Sequence, residues 1–135
     1  MSQDDTDPDL DFDEAGARER LEAAVRLFND GAYHDAHEAF EVLWLKNEGA
    51  DADFFKGLIQ ASICLHHWRD GEQDGARKLY RGHRRYLAAY LPEHRGVELA
   101  GFLEEMRASL DPLLRARPGE LVPFPAEGGP HVKFS

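Results

Sequence analysis

Four residues in the stretch HEAFEVLW carry the clearest chemical potential in this chain: His37, Glu38, Glu41 and Trp44. His37 and Glu41 are four residues apart, which on a helix stacks them on one face about one turn apart. An imidazole and a carboxylate so placed can converge on one metal ion, as His and Glu ligands do in helical bundles. On a helical wheel both lie at the edge of the apolar face, and His34 lies close to Glu41. Glu38 sits further round, where it suits a general base or a group that orients a metal-bound water. The zinc-protease signature is absent, because it needs a second His where Glu41 stands. A His and a Glu at this spacing are also an ordinary surface ion pair.

A second stretch, from about Asp53 to Arg69, is apolar nearly all round except for one stripe. Asp53, Lys56, Gln60 and His67 fall together on that stripe, with Cys64 beside them. A buried polar group without a partner costs roughly 2–7 kcal/mol, so the stripe must face other polar groups or a cavity. The edge that carries His37 and Glu41 is the expected neighbour. The sequence thus predicts one buried cluster of His37, Glu41, Gln60 and His67, with polar ends meeting across the interface of the two helices. His37, Glu41 and His67 would then hold a divalent metal such as zinc, manganese or iron and leave a position open for an acidified water. Glu38 is the candidate catalytic base, with Gln60 assisting. A satisfied hydrogen-bond network, with His67 on Glu41 and Gln60 on a backbone carbonyl, accounts for the same residues without a metal.

The other reactive types point to less. Cys64 reads as inert packing rather than as a nucleophile. Trp44 and Trp68 read as core anchors. Arg77, Lys78, Arg81, Arg84 and Arg85 follow one another with no acid between. Arg77, Arg81 and Arg84 on one side suit a phosphate or a carboxylate, or a solvated face paired with the acidic N-terminus. There is no glycine-rich phosphate loop, no convincing Ser-His-Asp order and no cysteine cluster.

The elements that position these residues are helices. Leu21, Ala24, Val25 and Phe28 recur at helical spacing in a helix from about Glu14, which Asn29-Asp30-Gly31 stops. The next helix, from about Tyr33 to Lys46, follows at once, so the two are antiparallel neighbours. The apolar helix 53–69 reads as central and buried and is closed by Asp70-Gly71. A fourth helix extends to about Leu91 and stops at Pro92, with Ala76, Leu79, Tyr80, His83, Leu87, Tyr90 and Leu91 inward. A fifth starts near Val97 and buries Leu99, Phe102, Leu103, Met106 and Leu110. Asp111-Pro112 looks like a fresh cap for a short last helix. Gly31 and Gly71 stand 40 residues apart, each with Ala five residues later and an aromatic four after that, Phe40 and Tyr80. This resembles the small-residue packing of tetratricopeptide-type hairpins. The expected fold is therefore all-α, a compact bundle of about five helices, with two tetratricopeptide-like antiparallel hairpins plus a C-terminal helix.

Composition bounds the rest. Residues 1–14 hold seven of the 26 acids and none of the bases, so 19 acids against 16 bases remain elsewhere. The net charge of −10 thus belongs largely to an acidic arm, residues 1–13. A single helical domain is expected over 14–117, and a proline-rich, extended tail over 118–135. Aspartate richness and only 4 lysines among the 16 bases fit a halophilic protein as well as an ordinary acidic one. Nucleic acid is a poor partner for such a charge. No apolar run reaches membrane-spanning length, the N-terminus lacks the form of a signal peptide, and one cysteine fits a reducing cytosol. A cytoplasmic location is expected, and a homo-oligomer is compatible with it.

FNDGAYHDAHEAFEVLW (28–44) followed by FFKGLIQASICLHHWRDGEQDGARKLY (54–80) resembles the family named domain of unknown function 309. The likeness covers about residues 21–110. It implies a compact helical fold and a bacterial or archaeal origin, and brings no activity. The family's polar motif positions fall on His37, Glu38, Glu41, Trp44, Gln60 and His67, whereas Cys64 and His66 are outside the pattern. Three functions follow from the residues: a metal-dependent hydrolase, a non-enzymatic protein-interaction module of helical hairpins, or a structural protein whose polar network only fixes the packing. A ligand cluster open to a pocket favours the first, an exposed apolar groove the second, and a closed, fully bonded stripe the third.

Overall fold

The computed structural model describes residues 13–47 and 49–135. The acidic arm, apart from Asp13, lies outside the described residues. Asp13 itself caps the first helix: its Oδ1 accepts from Gly16 N at 2.8 Å, satisfying a donor that the helix leaves open. That helix, α1, spans Glu14–Asn29, and α2 spans Tyr33–Leu45. The turn between them is a Schellman close. Gly31 has φ 82°, its N–H bonds Phe28 O, and Ala32 N–H bonds Leu27 O.

The next pair repeats this geometry. α3 spans Ala52–Arg69 and α4 spans Gln73–Leu87. Gly71 has φ 86°, its N–H bonds Trp68 O, and Glu72 N–H bonds His67 O. Two glycines 40 residues apart thus make the same turn and set two antiparallel hairpins. α1 packs on α2, α2 on α3 and α3 on α4. The central α3 buries Phe54, Phe55, Leu58, Ile59, Ala61, Cys64, Leu65 and Trp68. That explains its apolar circumference.

After α4 the chain makes a short 3₁₀ turn, Ala88–Tyr90, and a cis Leu91–Pro92 bond. The fourth helix therefore ends earlier than its apolar pattern suggests, and Leu91 is 44% exposed instead of inward. A small antiparallel hairpin, unforeseen in the sequence, follows: β1 (Glu93–His94) pairs with β2 (Val97–Glu98). Arg95 and Gly96 both take positive φ, as a two-residue hairpin turn of this twist needs. α5 spans Leu99–Leu114 without a break at Asp111-Pro112. The proline sits in the last turn, so it removes one bond near the end and no second helix starts. The buried face of α5 is Leu99, Phe102, Leu103, Met106, Leu110 and Leu113.

The segment 118–135 is free of helix and lies across the bundle as a strap. Gln73 bonds Val122 N and Glu120 O, and Trp68 Nε1 donates to Val122 O at 2.8 Å. Asn29 clamps Val132 at both its N–H and its C=O. Phe134 bridges Val97 beside the hairpin. Val132 is 2% exposed, so the strap adds core as well as hydrogen bonds. Among the described residues, no helix is long and apolar enough to cross a membrane.

Candidate functional site

Two contacts fix how α2 lies along α3. Lys56 Nζ stands 4.6 Å over the Trp44 ring, and the His34 and His66 rings are 5.6 Å apart. With the helices antiparallel, Glu41 falls level with Ile59 and Gln60, and His37 level with Ile63. Two further contacts fix α4 on the other side of α3. A Cβ added at Gly82 would meet Gln60 Oε1 at 1.9 Å, and one at Gly75 would meet His67 Cδ2 at 3.3 Å. The seven-residue step between Gln60 and His67 is matched by the seven-residue step between the two glycines.

The result is one open face shared by α2, α3 and α4, termed the trough. Its floor is the half-buried line Lys56, Gln60, Ile63 and His67 of α3. Its α2 wall is Trp44, Glu41 and His37, all half-buried. Its α4 wall is kept low by Gly75 and Gly82. At the Trp44 end, Trp44, Leu45, Asn47 and Ala52 border a mainly apolar hollow of about 300 Å³. Leu45 is 63% exposed and Val42 39%. Every residue of the sequence motif except Glu38 lines the trough.

Several expectations need correction. The cluster is half-buried, not buried. Gln60 and His67 turn toward α4, because its glycines leave the space there. They do not meet the polar edge of α2 tip to tip. Glu38 points to solvent, with a side chain 62% exposed and 3.7 Å from His34. Trp44 is half-buried and packs against the core, as expected, with its remaining surface on the trough side under Lys56. Among the described residues, His37, Glu41, Gln60 and His67 make no side-chain hydrogen bond or ion pair. His37 and His67 have ring neighbours in His34 and His66, at 5.8 and 6.2 Å. Also among the described residues, no group of three His, Cys, Asp or Glu side chains stands ready to hold a metal ion, so His37, Glu41 and His67 are not assembled as one.

Sequence reasoning missed Gly75 and Gly82. Their equal spacing to Gln60 and His67 was the available signal. It also placed Arg77 and Arg84 with Arg81, whereas the first two turn inward. Arg77 Nε donates to Leu113 O at 3.2 Å, and Arg84 Nη1 to Leu103 O at 3.0 Å.

The groups buried near the trough are chemically quiet. Cys64 donates to Ala76 O at 3.2 Å, and burial pushes its thiol up to about 12. His83 is fully buried between Tyr80 and Phe102. Burial lowers it to about 4, against the raising effect of its bond to the Tyr80 carbonyl. A second hollow, about 400 Å³, lies by Tyr33, Arg69 and Phe124. Its one cation is already pinned: Arg69 Nη1 donates to Gly31 O at 2.7 Å, and the guanidinium lies over the Tyr33 ring.

Residues 21–79 match the family model described as Domain of unknown function (DUF309). Over these residues the chain is similar to that family. The DUF309 match begins in α1, ends within α4 and contains all the motif residues of the trough. It stops short of the likeness read over 21–110, leaving out Gly82, the hairpin and α5. An uncharacterized protein of Aquifex aeolicus (strain VF5) is 31% identical over 98 residues, which are 71% of this chain and 28% of that protein. The matched part thus spans less than a third of the relative.

Proposed function

We propose that this chain is a non-enzymatic protein-interaction module that holds a segment of a partner protein in the trough of α2, α3 and α4. The observation that carries this reading is the row of half-buried polar side chains, His37, Glu41, Gln60 and His67, without bonding partners among the described residues. Their polar atoms are in reach of solvent and bound to no protein group among the described residues, and a peptide main chain supplies both donors and acceptors. From Lys56 to His67 the floor rises about 16 Å, the length of about five residues of extended chain. The hollow beside the exposed Leu45 and Val42 offers a seat for an apolar anchor. In the Aquifex relative the matched region is one part of a longer chain, which is how a module is deployed.

The other two readings have less support. A metal-dependent hydrolase needs ligands gathered at one point, and a purely structural network needs bonds among the four side chains.

Peptide display on the full chain tests the proposal. Selection should enrich peptides with an apolar anchor that shift amide resonances along α2, α3 and α4. Gln60→Ala and Leu45→Asp should each weaken binding about tenfold while costing less than about 1 kcal/mol of stability, since neither loses a protein partner. No enrichment, or binding indifferent to both substitutions, would overturn it.

A further inference from the structure

We infer that the partner segment is acidic and lies with its carboxylates along α4, an inference that rests on the interaction reading above. α4 carries five bases and one acid, Asp74. Two of the bases are committed. Arg77 bonds Leu113 O and Asp74, and Arg84 bonds Leu103 O with its guanidinium over Tyr80. The other three, Lys78, Arg81 and Arg85, are exposed and form no ion pair among the described residues.

Their position is specific. Lys78 and Arg85 come about 40° and 60° further round α4 than Gly82, so they stand on the rim of the trough. Arg81 lies a step further toward solvent. The steps of three and four residues set the row on one face over about 10 Å. Lys56 adds a fourth cation at the floor, over Trp44. The opposite wall carries one acid, the half-buried Glu41.

The trough is therefore polarised across its width. A basic segment would be repelled by α4 at the place where the glycines admit it. An acidic segment is held on the α4 side and kept off the α2 side, which fixes its lateral register. Nucleic acid fits less well, because its phosphates would also meet Glu41. Tight binding there needs more phosphate contacts than four cations supply.

The test uses four fluorescent probes on the full chain. Three are peptides with the same leucine anchors and length, with glutamate, glutamine or lysine between the anchors. The fourth is a single-stranded DNA oligonucleotide. The glutamate probe should bind about tenfold tighter than the glutamine probe, and the lysine probe weakest. Raising salt to about 0.5 M should remove most of the glutamate advantage. Lys78→Glu with Arg85→Glu should abolish it while leaving the glutamine probe unchanged. If glutamine and glutamate bind alike, the acidic-partner inference fails and the module reading stands. If no peptide binds, both fail. If DNA binds tighter than the glutamate peptide, a nucleic-acid partner replaces the acidic segment.

Discussion

Gln60 of α3 is seated against the bare backbone of Gly82 in α4, so closely that a Cβ there would stand 1.9 Å from its Oε1. The atom in the way is the far end of a flexible side chain, and it can swing aside. Gly82→Ala also gains up to about 1 kcal/mol of helix propensity. Its stability should therefore stay within about 1 kcal/mol of the parent, while binding in the trough falls because Gln60 is displaced. Gly57 gives the contrast. Its added Cβ would meet Leu87 Cγ at 2.5 Å and Cδ2 at 2.7 Å inside the core. Gly57→Ala should lose about 1–3 kcal/mol in a urea titration. Equal losses at the two glycines would mean that Gly82 is held for packing alone.

His83 should make the fold sensitive to mild acid. Its folded pKa of about 4 lies below the ordinary 6.5, because burial disfavours the cation. The unfolded chain thus binds a proton that the folded chain refuses between those values. The stability from the neutral ring is fully present above about pH 6.5 and is lost as pH falls toward 4. Urea melts of the parent and of His83→Leu across this range isolate the effect. The variant should gain on the parent by up to roughly 3 kcal/mol from pH 7 to pH 4. Parallel curves would show that His83 takes up its proton without unfolding.

Asp51 ties the loop before α3 to the small hairpin. It accepts from Arg95 Nε at 2.6 Å and pairs with His94 Nε2 at 2.7 Å. Burial pushes its carboxyl up, but the bonds from His94 and Arg95 together outweigh burial and hold it below its ordinary value. Its contribution is present above the unfolded value of 3.8 and lost as pH falls through the lower folded pKa. Asp51→Asn should cost about 1–3 kcal/mol near neutral pH. The gap to the parent should close once the medium is acid enough to protonate the folded carboxylate. A gap that persists there would assign the loss to packing and not to charge.

The helices were legible because their ends are written in glycine. Gly31 and Gly71 occupy positive-φ positions that most residues resist, and each follows an apolar period of helical length. Residue by residue, the inner faces of α1, α3 and α5 also followed from that period. The neighbour of the polar stripe did not. A wheel gives the angle of Gln60 and His67 on α3, but the space they enter is made by two absent side chains on α4. The Arg95-Gly96 hairpin was hidden for a similar reason: each strand is two residues long, too short for alternation to register. Pro112 misled because proline usually starts or breaks a helix, while one turn from the end it removes only a terminal bond.

The metal question can be decided directly. A hydrolase reading requires His37, Glu41 and His67 on one ion, with Glu38 poised on its water. The side chains stand otherwise: His67 lies against Gly75, Glu38 is turned to solvent, and no three ligands are gathered among the described residues. Bringing them together needs new rotamers on two helices, and that cost is charged against affinity. Titration of the metal-free chain with zinc, manganese or iron at micromolar concentration should leave the imidazole resonances of His37 and His67 unmoved. His34 and His66 are the internal control, because adventitious zinc would reach the exposed His34, beside the half-buried His66, first. Saturable binding that is lost in His37→Ala and in His67→Ala, but kept in His34→Ala, would restore the metal-dependent reading and displace the interaction module. Binding lost only in His34→Ala or His66→Ala would mark a surface ion and leave the trough to its partner.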